Sequence, residues 1–322
     1  MSQLHKFLFE GLPVRGMLVQ LTDVWQEVLA RRASNVETGA YPEPVQHLLG
    51  EMTAAAVLMQ SNIKFNGALV VQIMGDGPVK LAVVEVLPDL SVRATAKVVG
   101  VVEPHFGLAD MVNQNNQGRC AITLDPQTKL PGQQAYQGVV PLFDDQGQKL
   151  QRFSEVLQHY MLQSEQLDTT LVLAADAKQA AGLLIQRLPV AGEGNLSAKA
   201  SAADEDQIGR NEDYNRIAIL AASLQRDELL HLDADTVLHR LFWEEKLVRF
   251  EALTPSFACS CNRERVSQMI RSLGIDEVQS ILSERADVEV GCEFCGKQYR
   301  FDAVDAAQLF ALSQAPGSAS LQ

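Results

Sequence analysis

Four of the five cysteines in this 322-residue chain fall within 37 residues, as Cys259-Ser260-Cys261 and Cys292-Glu293-Phe294-Cys295-Gly296, with thirty residues between the pairs. Two local pairs of soft thiolates suit a tetrahedral Zn²⁺ ion, which takes four sulfurs at about 2.3 Å. One zinc ion per chain is therefore expected on Cys259, Cys261, Cys292 and Cys295. Gly296 follows the second pair, where a tight turn needs a residue free to take positive φ. The first pair, with a single residue between its cysteines, departs from the two-residue gap of common zinc fingers and ribbons. Thiolates are also the oxidisable form of cysteine, and each pair is close enough in sequence to form its own disulfide, so oxidant would eject the metal. Arg263 and Arg265 stand where they would favour thiolate in the first pair.

The elements that must bring these cysteines together are legible around them. Arg263 to Leu273 has helical spacing, with Val266, Met269, Ile270 and Leu273 on one side and Gly274 as terminator. Asp276 and Gln279 form a capping-box pattern for a second short helix carrying Val278, Ile281 and Leu282. Val288 and Val290 alternate around Glu289 before the second cysteine pair, and Tyr299 and Phe301 alternate after it, so the metal closes a hairpin. A module of roughly 60 residues has a marginal core, whereas a structural zinc contributes on the order of 10–16 kcal/mol. Removing the metal should unfold it.

The rest of the chain predicts an α+β protein. Leu18 to Gln20 reads as extended and Asp23 to Arg32 as a helix, with Asp23 and Gln26 as a capping box. Pro44 to Ser61 repeats apolar residues at helical spacing on one face, through Val45, Leu48, Leu49, Met52, Ala55 and Ala56. Ala68 to Met74, Val79 to Val86 and Ser91 to Val99 form an antiparallel meander punctuated by Gly75-Asp76-Gly77-Pro78 and Pro88-Asp89. A strand near Ala121 to Leu124, a helix over Ser154 to Gln166 and a strand over Thr170 to Ala174 continue the mixture, favouring antiparallel sheets with packed helices.

From Val190 to Asp213 the composition changes to six acidic residues against two basic ones, with few large apolar side chains. Such a stretch buries too little surface to offset its ordering entropy and is expected to be a flexible linker. Helices follow over Tyr214 to Leu224 and Asp233 to Glu244. The stripe Val237, Leu238, Leu241 and Phe242 in the second reads as core packing or, more sharply, as a detachable cover over apolar surface. The expected organisation is a core over 1–190, an acidic linker with amphipathic helices over 191–252, the four-cysteine module over 253–313 and a frayed tail over 314–322.

Composition narrows the function. A net charge of -13 opposes nucleic acid and anionic membranes. The module itself holds nine acidic and six basic residues, which argues against a phosphate-binding zinc ribbon. Four thiolates fill the metal shell and leave no open position for hydrolysis. No uninterrupted apolar segment suits a secretory signal or a membrane span, so a cytosolic location is expected, where thiols stay reduced. Cys120 reads as a small buried residue. Gly75-Asp76-Gly77 joins two strands and lacks the Lys of a phosphate loop, while Ser61-Asn62-Ile63-Lys64 has no companion acyl-enzyme motif. The six histidines show no ligand pairing, and nothing assembles an acid, a base and a nucleophile. The chain is not expected to be an enzyme.

Several segments together resemble the redox-regulated heat shock protein 33 family, the 33 kDa chaperonin. They are Phe7-Leu8-Phe9-Glu10 with Val14-Arg15-Gly16, Gly75-Asp76-Gly77-Pro78, Gln163-Ser164-Glu165-Gln166-Leu167, Leu241-Phe242-Trp243-Glu244-Glu245, Phe257 to Arg265 and Cys292 to Gly296. The resemblance covers nearly the whole chain, and the cysteine arrangement is its most specific part. It implies an ATP-independent holdase, inactive when reduced and zinc-bound, which binds unfolding client proteins once oxidation releases zinc and unfolds the module and linker. It implies disulfides joining Cys259 to Cys261 and Cys292 to Cys295, and dimerisation on activation. The acidic insertion near Val190 to Asp213 departs from the family pattern.

Overall fold

The computed structural model describes residues 1–35, 38–128, 134–188 and 211–311, which form two compact units, Met1–Ala258 and Cys259 onward. The fold is α+β.

In the first unit, β1 (Gln3–Phe9), β2 (Val14–Leu21), β8 (Thr169–Ala175), β9 (Ala180–Arg187) and β10 (Leu247–Arg249) make an antiparallel sheet in the order β10-β1-β2-β9-β8. A second sheet has the order β11-β5-β4-β3-β6-β7, from β3 (Gly67–Met74), β4 (Val79–Val86), β5 (Ser91–Val98), β6 (Arg119–Pro126), β7 (Tyr136–Pro141) and β11 (Ser256–Phe257). The expected meander is β3-β4-β5. The short β11 pairs parallel with β5, the one departure from antiparallel pairing among the described strands.

Helix α1 (Asp23–Ala33) lacks the predicted capping box: the Asp23 carboxylate instead accepts from the Ser2 backbone and hydroxyl, and the N-cap is Thr22. Helix α2 (Glu43–Asn62) is buried on nearly every side rather than on one face, because it packs against strands of both sheets. Its small residues Gly50, Ala54, Ala55 and Ala56 allow that approach; a Cβ on Gly50 would collide with Ala175. Helices α3 (Leu108–Val112) and α4 (Phe153–Glu165) complete this half, and Asp76 in the β3–β4 turn accepts from the backbone of Asn115 and Gln117, confirming that turn as structural.

The predicted linker lies mostly outside the described residues; its last two residues, Glu212 and Asp213, open α5 (Glu212–Ala222), which Asn211 caps through the Tyr214 backbone N–H at 2.8 Å. Helices α5, α6 (Arg226–His231) and α7 (Ala234–Phe242) build a second core with β1, β2 and β9. Val237, Leu238, Leu241 and Phe242 are all buried there, and the Phe242 ring meets Phe9 edge-on at 5.1 Å. Leu253 exchanges backbone hydrogen bonds with Leu4, and Ala258 donates to Val92, so 253–258 belong with the first unit rather than with the cysteine module.

The second unit contains α8 (Arg263–Leu273), α9 (Ile275–Glu284), the hairpin β12 (Asp287–Gly291) and β13 (Gln298–Asp302), and α10 (Ala303–Ala311). The hairpin pairs Val288 with Phe301 and Val290 with Tyr299, in the predicted alternation. Gly274 ends α8 at φ +90°, but it also precedes α9, which has no side-chain cap; the predicted Asp276–Gln279 box does not form. Within the α8 stripe, Ile270 is buried and Val266 partly so, while Met269 and Leu273 are 44% and 49% exposed. Among the described residues the buried apolar cluster is small: Ile270, Val278, Val288, Tyr299, Phe301 and Ala306.

Candidate metal centre

Each cysteine pair sits at the end of a regular element. Cys259 and Cys261 lie just before α8, whose N-cap Asn262 accepts from the Arg265 backbone N–H at 2.8 Å. That bond fixes the direction in which the chain leaves Cys261. Cys292 and Cys295 lie in the tight connection between β12 and β13. There the Gly296 N–H donates to the Cys292 carbonyl at 2.8 Å, the Cys292 N–H to the Lys297 carbonyl at 2.9 Å, and Gly296 adopts φ +71° as its type predicts.

The four sulfurs lie within 4.8 Å of one another. Cys259 Sγ is 3.7 Å from Cys292 Sγ, and Cys261 Sγ is 3.3 Å from Cys295 Sγ. A tetrahedron with metal–sulfur bonds of about 2.3 Å has edges of about 3.8 Å, so the cluster has the size of a single tetrahedral shell. The two pairs interleave, each sulfur having a short contact in the other pair. The donor set fits a soft or borderline divalent ion such as Zn²⁺ and disfavours Mg²⁺ or Ca²⁺, which take oxygen ligands. All four cysteines are unbridged thiols here, three half-buried and Cys295 buried.

Cys261, Cys292 and Cys295 sit in different electrostatic surroundings. Burial works to raise Cys261, but the hydrogen bonds it receives, first from the Tyr299 hydroxyl at 3.2 Å and then from Cys295, outweigh it and bring its pKa down to about 7. Burial pushes Cys292 and Cys295 upward; backbone N–H groups of Cys295 and Phe294 oppose this at Cys292, and that of Lys297 opposes it at Cys295. A dication at the centre would reverse the burial cost, because it supplies the positive charge that four clustered thiolates lack.

Two expectations about neighbours change. The guanidinium of Arg265 is engaged by the Ser260 carbonyl and hydroxyl, and that of Arg263 by Asp305 at 2.7 Å, by the Arg300 carbonyl and by the Phe301 ring face at 4.1 Å. Neither Arg is among the causes that depress Cys261. Tyr299, read from sequence only as a strand residue, is the hydroxyl that does so. Its signal was its phenol: a buried Tyr in a small core needs a partner for its O–H. Cys120 lies on β6, wholly buried, and burial pushes its thiol up to about 12, as its reading as an inert packing residue predicts. Among the described residues, the four cysteines are the one cluster of His, Cys, Asp and Glu side chains with metal-ligand geometry.

The sequence pattern of the Hsp33 protein family matches residues 2–302. This chain belongs to the Hsp33 family. Relatives named 33 kDa chaperonin include one from Chromobacterium violaceum, 45% identical over 96% of this chain and 94% of its own length. Another, from Methylobacillus flagellatus, is 42% identical over the same shares. The fold also matches the crystal structure of the 33 kDa chaperonin, a heat shock protein 33 homolog, from Thermotoga maritima. That match has a TM-score of 0.75 and 20% identity, and it covers 97% of this chain and 98% of the other. The Hsp33 assignment thus rests on the whole chain and not on the cysteines alone. No helix among the described residues is long and apolar enough to cross a membrane.

Proposed function

We propose that this chain is an ATP-independent holdase chaperone of the cytoplasm, held inactive by a zinc ion on Cys259, Cys261, Cys292 and Cys295 and activated when oxidation dismantles that site. The observation that carries the reading is the convergence of four sulfurs within 4.8 Å inside a unit whose own buried apolar set is small. Relatives over nearly the full length are named 33 kDa chaperonin, which supports client binding over catalysis as the activity.

When bound, zinc supplies a charge centre that links the start of α8 to the β12–β13 turn and holds the thiolates deprotonated. The residues of the chain do the rest. Tyr299 orients Cys261, and the turn amides orient Cys292 and Cys295. Peroxide takes two electrons from each thiolate pair, forming one sulfur–sulfur bond per pair and leaving as water with two protons from solvent. On the family pattern these bonds join Cys259 to Cys261 and Cys292 to Cys295. With its sulfur donors consumed the module loses its staple and unfolds, leaving a core, a linker with amphipathic helices and an unfolded C-terminal module as functional parts.

Clients then meet apolar surface. Met269 and Leu273 are already exposed, and melting of the module adds Val266 and Ile270. Release of α5 to α7 would uncover Phe7, Phe9, Val14 and Ile185 on the sheet beneath them. Contiguous apolar surface of this kind captures unfolding proteins and supports dimerisation of the activated chain. The test treats reduced protein with peroxide under mild heating, following zinc with a chelating dye and aggregation of an unfolding client in parallel. One zinc released per chain with suppressed aggregation is expected; zinc loss without holdase activity contradicts the reading.

A further inference from the structure

Two segments that carry the family resemblance, Val14-Arg15-Gly16 and Gln163 to Leu167, lie outside the metal centre, and the fold brings them to one cavity. It has a volume of about 520 Å³ and lies where the C-terminus of α2 and the end of α4 meet β2 and β9 of one sheet and β3, β6 and β7 of the other. That volume lies within the roughly 300–1,000 Å³ of small-molecule sites. Its walls are mainly aliphatic, from residues such as Met59, Ile122, Leu124 and Leu184, and the half-exposed Tyr136 ring stands at the mouth.

One cation, Arg15, faces this apolar space without an ion-pair partner among the described residues. Arg15 donates through Nε at 3.2 Å and through Nη2 to Gln186 Oε1, which also accepts from Asn62 Nδ2 at 3.0 Å. Gln186 is buried and anchored in turn on Thr169 Oγ1 at 2.9 Å. The guanidinium is thus held in place by a neutral amide, and among the described residues its Nη1 has no protein partner and no carboxylate pairs with it. Lys6, on the same sheet and close enough to repel Arg15, reaches the Ser61 carbonyl at the end of α2 and likewise has no acid partner among the described residues. In a chain with 40 acidic residues against 27 basic ones, a lining cation with no ion-pair partner among the described residues is conspicuous. Lys6 is accounted for by the negative end of the α2 dipole; the free edge of Arg15 is not. Among the described lining residues the one acid, Glu165, accepts the Tyr160 hydroxyl at 2.7 Å, so that donor is already committed and Arg15 is the cation left to meet an anion.

We propose that this cavity binds a small amphipathic monocarboxylate, such as a medium-chain fatty acid, with its carboxylate on Arg15 and its chain along the aliphatic wall. A single carboxylate matches the single free guanidinium edge, and an uncharged tail matches the rest. The site is separate from the cysteines, and its test is independent of the holdase reading.

The probe is decanoate below its micelle concentration, titrated calorimetrically into the reduced, zinc-loaded full-length chain. One saturable site per chain is expected, with decanol weaker by roughly tenfold or more because it lacks the charge-assisted hydrogen bond. Arg15→Gln should lose affinity by a similar factor. Met161→Trp, which fills the cavity from α4 and leaves Arg15 untouched, should lose it too. Absence of saturable binding, equal binding of decanoate and decanol, or full affinity in folded Arg15→Gln or Met161→Trp protein would overturn the proposal.

Discussion

The Tyr299 hydroxyl donates to Cys261 Sγ across 3.2 Å, joining the hairpin to the first cysteine pair by a bond that does not involve the metal. Outer-shell partners of this kind typically change metal affinity by about 10–100-fold when removed. Tyr299→Phe keeps the ring that packs against the module core and removes only the hydroxyl. Zinc affinity measured by competition with a chelator should fall within that range, and peroxide should release the ion faster. Wild-type affinity in the variant would mean that the bond plays no part in holding the site.

Disulfide mapping of the oxidised chain separates sequence proximity from spatial proximity. In the folded cluster short sulfur–sulfur contacts of 3.7 and 3.3 Å cross between pairs, Cys259 to Cys292 and Cys261 to Cys295. Bonds within pairs, Cys259–Cys261 and Cys292–Cys295, should nevertheless dominate by mass spectrometry, because they close the smallest loops once the module unfolds. Predominant cross-pair bonds would show that oxidation locks the module instead of releasing it.

Phe242 is the aromatic plug between α7 and the Phe7–Phe9 pair of β1. Phe242→Ala should lower stability by about 3–5 kcal/mol and loosen α5 to α7 from the sheet. The reduced, zinc-loaded variant is expected to suppress client aggregation partially without oxidant, with zinc still bound. A destabilised variant with no holdase activity would place the client surface elsewhere.

Glu51 on α2 lies 3.5 Å from Arg226 on α6, and burial raises its carboxyl from 4.5 to about 7 despite the opposing pull of Arg226 and Arg152. Between those values the folded chain holds a proton that the unfolded chain has lost, so this group's contribution to stability falls as pH rises through the window. The cost is complete above pH 7, about 3 kcal/mol at 1.36 kcal/mol per unit. Glu51→Gln should therefore raise the urea midpoint at pH 8 and barely change it at pH 5. An equal gain at both pH values would exclude the titration as its cause.

The metal centre was the most legible part of the sequence because ligand spacing is local chemistry: Cys292 to Gly296 encodes its own turn, and Arg263 to Leu273 its own helix. Tertiary partners were not legible. Asp23 is taken by Ser2, and Gly274 leaves α9 without a side-chain cap, so both capping patterns near them fail. β9 is buried along nearly its whole length and so has no polar alternation to mark it as a strand, and α2 appears one-sided until two sheets enclose it. Arg263 and Arg265 are adjacent to the thiols in sequence but turn to Asp305 and Ser260 in space.

Amide hydrogen exchange on reduced protein, with zinc bound and after chelation, measures the coupling between metal and fold most directly. Protection across 263–302 should be present with zinc and lost without it, while the strands of the first unit stay protected in both. Unchanged protection of 263–302 in reduced, zinc-free protein would contradict the account.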